Sequence, residues 1–128
     1  MQTENGVPMS NAAIFEQYLD RFTSGDVDGA AELLDETFTF RGPIVQTDNK
    51  TDFLAGTQGL LPIVQGYEMH RMFTDGDEVC AIYDFKVATP AGAGSIAMTE
   101  WSVIKGGKLM SSRLLFDTAA FAALMPAD

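Results

Sequence analysis

Among its 128 residues the chain holds one cysteine, one histidine and 8 Lys and Arg. With Cys80 alone, no internal disulfide can form. Its run Val79-Cys80-Ala81-Ile82-Tyr83 reads as core, where a thiol packs as a small apolar group. No basic neighbour in sequence is there to activate it. One His, one Cys and no clustered carboxylate spacing leave no metal-ligand set. Neither a Ser-His-Asp order, a nucleophile elbow nor a Gly-rich phosphate loop is present. The expectation is therefore no metal and no cofactor. Positive charge is scarce and scattered: 18 Asp and Glu give a formal net charge of −10. Nucleic acid and anionic membrane surfaces both need clustered positive charge, so neither is an expected partner. No run approaches the roughly 20 apolar residues of a membrane helix, and Met1 to Ser10 is polar. A cytoplasmic location is expected.

What is there suffices for one globular domain. Hydrophobic residues make up 46% and charged residues 20%, ordinary values for a chain that buries its own core. Residues 1–9 read as a flexible tail, and 10–128 as a single domain. Ser10 or Asn11 can cap a helix whose apolar residues Ile14, Phe15, Tyr18, Leu19 and Phe22 share one face. Gly25 ends it, and Asp26 caps a second short helix through Leu34. Phe38-Thr39-Phe40 reads as a strand, 44–50 as loop, and a third helix opens at Thr51 or Asp52 toward Leu61. From Tyr67 the apolar period becomes two. Strands are expected over 67–73, 79–88, 96–104 and 109–116, with turns at Asp75-Gly76-Asp77 and Gly106-Gly107. Thr118 to Met125 reads as a short apolar helix or tail covering one end of the sheet. The order predicts an α+β fold: a cone-shaped, curved antiparallel sheet with about three N-terminal helices on its concave face. The cone is the natural pocket.

This order resembles the nuclear-transport-factor-two-like superfamily, specifically its SnoaL-like branch. Tyr18-Leu19-Asp20-Arg21-Phe22, Ser24-Gly25-Asp26-Val27-Asp28, Phe38-Thr39-Phe40 with Gly42-Pro43, Asp75-Gly76-Asp77-Glu78-Val79 and Leu115-Phe116-Asp117 carry the resemblance. The scaffold hosts enzymes and non-catalytic modules alike. The resemblance to ketosteroid isomerase implies an oxyanion hole from Tyr18 and an acid near Glu100, but places Gly42 at the base position. That to limonene epoxide hydrolase implies a catalytic Asp117, yet its arginine and second aspartate fall on Tyr83 and Phe85. That to the polyketide cyclases implies Asp117 as base. It also implies a homodimer through the open sheet face.

Each candidate has two readings. Asp117 is a general base among apolar walls or the N-cap of the helix after it. Glu100 pairs across the hairpin with Arg113 if the Gly-Gly turn has two residues, the favoured reading. A three-residue loop instead sets it opposite Ser112 and into the cone. His70, beside Glu68 and Arg71, is a proton shuttle or a surface residue. Tyr18 is a core aromatic or a hydrogen-bond donor. Trp101 lines the pocket or packs on the outer sheet face. Tyr83 and Phe85 share a pocket-facing strand side, with Phe40, Leu114 and Phe116 as further substrate contacts.

The expected function is cofactor-independent acid–base chemistry of the isomerase, cyclase or hydrolase/hydratase type. The substrate is expected to be hydrophobic, polycyclic or terpenoid-like. The alternative is a non-catalytic ligand-binding or dimerisation module.

Overall fold

The computed structural model describes residues 3–4 and 7–125. Thr3–Glu4 (β1) and Val7–Pro8 (β2) pair as a separate two-stranded ladder; the rest of the expected tail, residues 1–2 and 5–6, lies outside the described residues. Helix α1 spans Asn11–Thr23, with the Ser10 side chain accepting from the Ala13 amide at 3.1 Å. Its apolar residues bury one face, as the 3.6 period requires. Asp26 caps α2 (Val27–Ala31) by accepting from the Gly29 amide. This helix stops short of Leu34, which instead opens strand β3 (Leu34–Arg41) by pairing with Leu109. Helix α3 (Lys50–Gly56) is capped by Asn49 and ends five residues before the expected limit. A single 3-10 turn over Leu61–Ile63 takes up Pro62. Between β3 and α3, Gln46–Thr47 (β4) pairs back on β3 within a stretch expected as loop.

The remaining strands form the expected meander: β5 (Val64–Asp75), β6 (Glu78–Thr89), β7 (Gly92–Lys105) and β8 (Lys108–Phe116). Sheet order is β4-β3-β8-β7-β6-β5, and β3 joins β8 in parallel. Register shifts interrupt the pairing of β3 with β8, β5 with β6, and β7 with β8. Such bulges bend and twist a sheet. The sheet curves around α1 and α3, whose buried Phe15, Leu19 and Phe53 meet inward-facing Phe38, Val79 and Ile96 in the core. Helix α4 (Thr118–Leu124) closes one end of the cone, Leu124 lying against Gly94. Cys80 is not core: it is half-buried on the outer sheet face, between its strand partners Phe73 and Trp101.

Candidate functional site

The Lys105-Gly106-Gly107-Lys108 turn has two residues, with φ of 59° and 81° at the glycines. Left-handed values at both positions are what a tight two-residue hairpin turn demands. From that turn alone Glu100 would face Arg113. It does not, because Ile104 pairs with Leu109 while Val103 pairs with Ser111. Met110 is the extra residue, and it slips the register by one position. Glu100 therefore lies opposite Leu114, on the inner face, and the expected ion pair is absent. Arg113 sits opposite Trp101 on the outer face, its guanidinium 5.9 Å from the indole centroid.

Turned inward, Glu100 is only 4% exposed. The Tyr83 hydroxyl, from β6, donates to its Oε1 at 2.7 Å. Ser112 on β8, whose Oγ lies 2.6 Å from that of Ser102, sits close enough to the same carboxyl to favour its ionised form. Burial raises the Glu100 pKa, and the Tyr83 and Ser112 hydrogen bonds oppose that rise without cancelling it. Tyr18 reaches the same point from α1. Its phenol is buried and feels the Glu100 charge, both of which raise its pKa. No hydrogen bond to that phenol forms among the described residues.

Glu100, Tyr83 and Tyr18 form the polar floor of a cavity of about 320 Å³. Its walls are apolar: Leu19 and Phe22 of α1, Phe53 of α3, Met98 of β7, and Phe40, Phe85, Leu114 and Phe116 of the sheet. Ile44 and Val45 border it from the β3–β4 loop and are well exposed. Phe121 of α4 closes on it from the other end, against Phe116. Gly42, the base position implied by the isomerase resemblance, lines it without a side chain.

The structure thus brings together Tyr18, Tyr83, Glu100, Phe40, Phe85, Leu114 and Phe116. Three expected site residues lie elsewhere. Asp117 is exposed and caps α4, its Oδ1 accepting from the Ala119 and Ala120 amides. Capping there satisfies helix-end donors and turns the carboxylate away from the cavity. His70 is exposed at the β5 bulge, with Nε2 2.9 Å from Asp84 Oδ2 across the strand pair. Trp101 is exposed, and its Nε1 donates to Glu78 at 2.8 Å. Met98 and Phe121 join the site without a signal singled out in the sequence. Met98 shares the strand parity of Glu100, which is the signal that could have found it; Ser112, expected opposite Glu100 if the loop had three residues, instead pairs with Ser102 while the bulge turns Glu100 inward. No group of His, Cys, Asp and Glu able to hold a metal is found among the described residues. No helix among them is long and apolar enough to cross a membrane.

Comparison with solved structures places the fold among known ones. A nuclear-transport-factor-two-like protein of unknown function from Burkholderia pseudomallei superposes with a TM-score of 0.81 at 14% identity, over 93% of this chain and all of that one (100%). A protein from Mycobacterium tuberculosis described as an epoxide hydrolase of the limonene type superposes with a TM-score of 0.76 at 16% identity, over 89% of this chain and 88% of that one. One from Shewanella denitrificans assigned as a SnoaL-like polyketide cyclase gives 0.78 at 13% identity, over 89% and 95%. At these identities the likeness establishes the fold alone. Comparison with curated protein sequences gave no match. The model of the SnoaL-like domain matches residues 15–111, most of the described chain, and the chain belongs to that family.

Proposed function

We propose that this protein binds a mostly apolar small molecule in the cone and performs cofactor-independent acid–base chemistry on it through Glu100. One observation carries the reading: a carboxyl 4% exposed lies in an apolar cavity with no cation among the described lining residues, held by the Tyr83 hydroxyl at 2.7 Å. An unpaired charge is costly there, so the carboxyl keeps its proton to higher pH than an ordinary glutamic acid. In that state it can donate to a ligand oxygen, with the free Tyr18 phenol as second donor. Two donors at one oxygen stabilise the negative charge that develops on a carbonyl. Once ionised, Glu100 is held by Tyr83 and Ser112 and takes a proton back from the ligand. One carboxyl acting as acid and then base suffices for isomerisation, dehydration or ring closure. Likeness in fold to proteins described as an epoxide hydrolase and a polyketide cyclase is consistent with such chemistry.

The test is turnover of a panel of hydrophobic ketones and enones by wild type, Glu100→Gln and Tyr18→Phe. Loss in Glu100→Gln with a smaller loss in Tyr18→Phe is expected; unchanged turnover in both would overturn the assignment. One observation favours the non-catalytic reading: Glu100 is the sole carboxyl, and no imidazole is present, among the described lining residues. Tight binding of the panel with no turnover of any member would establish it.

The same reading includes a homodimer. Phe73, Ile82, Trp101 and Leu115 are exposed together on the outer sheet face, an arrangement that marks an interaction surface. A stable monomer at micromolar concentration would remove that part.

A further inference from the structure

The cavity has a charge character as well as a shape. Among the described residues lining it there is no Lys, Arg or His, and Glu100 takes part in none of the ion pairs. Lys86 of β6 points to the outer side, where it faces Glu68. The groups facing the Glu100 carboxyl are hydroxyls, from Tyr83 on β6, Tyr18 on α1 and Ser112 on β8. Tyr83 donates to it at 2.7 Å, as a donor beside a carboxylate does. Tyr18 and Tyr83 both line the cavity, and aromatic rings attract a desolvated cation. Around all this the chain carries a net charge of −10, which draws in cations and repels anions.

We infer that the cone also accepts lipophilic amines, held as ammonium ions against the Glu100 carboxylate. The inference rests on the cavity being a ligand site, as proposed above, and adds a second ligand class to it. The cation supplies the partner that the buried carboxyl lacks. Proton balance is simple: an ammonium ion and the protonated carboxyl give the ion pair and release one proton to solvent. An apolar carboxylate of the same shape is excluded, since it meets Glu100 without any cation.

The probes are 2-naphthylmethylamine, 2-naphthylmethanol, 2-naphthoate and 2-acetylnaphthalene, measured by calorimetry against wild type and Glu100→Gln. At pH 8 the amine is expected to bind wild type at least tenfold more tightly than the alcohol, and 2-naphthoate not to bind; proton release is expected at the lower pH values where Glu100 is still protonated. Glu100→Gln is expected to abolish the tenfold preference of the amine over the alcohol. In wild type alone, amine affinity is expected to rise with pH while Glu100 is still protonated and then level off. Equal amine and alcohol affinities, or a preference that survives in Glu100→Gln, would overturn the inference. Ketone binding that depends on Glu100, with no amine preference, would overturn it while leaving the proposed function standing. Failure of every probe to bind would remove both.

Discussion

Replacing Glu100 by glutamine keeps side-chain shape and removes one titration from the centre of the fold. Wild-type Glu100 has its pKa raised in the folded state by burial. The folded protein therefore holds this proton more tightly than the unfolded chain does. The resulting stability is fully present below the unfolded glutamic acid value of about 4.3 and is lost as pH rises through the raised folded value. Within that window each pH unit removes about 1.4 kcal/mol. In a domain of this size that is a fall of roughly 5 °C in Tm per unit. The amide in Glu100→Gln does not titrate, so the variant lacks this pH dependence. Near pH 4 the variant is expected at or slightly below wild-type stability, since its amide places a donor where Ser112 or Tyr83 also donates. Toward pH 8 it is expected to become the more stable protein. Urea denaturation of both at half-unit steps from pH 4 to 8 measures the difference directly. Parallel curves would refute the account, because they would mean that burial does not perturb the carboxyl.

Tyr83→Phe removes the 2.7 Å donor to Glu100; a loss of about 0.5–1.5 kcal/mol is expected, with the Glu100 window moving to higher pH in the same denaturation series. Asp117→Ala removes the α4 cap and is expected to cost about 0.5–2 kcal/mol without displacing the pH profile of ligand binding; a displaced profile would return Asp117 to the site. Phe38→Ala empties a fully buried position packed edge-on against Phe53 at 5.0 Å, with about 3–5 kcal/mol expected from thermal or urea unfolding. Trp101→Lys combined with Leu115→Lys charges the outer face and is expected to give a monomer by sedimentation while leaving ligand affinity intact.

Much of the architecture was legible because its signals are local. The Ile14, Phe15, Tyr18, Leu19 and Phe22 stripe sets α1, and Ser10 sets its start. The glycines at 106 and 107 mark the turn, and of its two possible lengths the two-residue one is formed. What failed was phase. The bulge at Met110 sits in Leu109-Met110-Ser111-Ser112, two apolar residues followed by two serines. Such like pairs look the same before and after a one-residue slip, and a one-residue slip reverses every side chain beyond it. That single insertion took Glu100 away from Arg113 and into the cavity. Leu33 and Leu34 were equally ambiguous: both are buried, and helix or strand satisfies them. Only the long-range pairing of Leu34 with Leu109 decides for strand. Asp117 shows the opposite case, a residue whose local capping chemistry outweighed a likeness in position.

The central claim is that the Glu100 carboxyl, at the floor of an apolar cavity, is the protein's chemical centre. Carbon-13 NMR titration of that side-chain carboxyl, alone and with 2-acetylnaphthalene bound, tests it most directly. The account predicts a midpoint above the ordinary glutamic acid range and a further change when the ketone binds. An ordinary midpoint that the ligand leaves unmoved would contradict it.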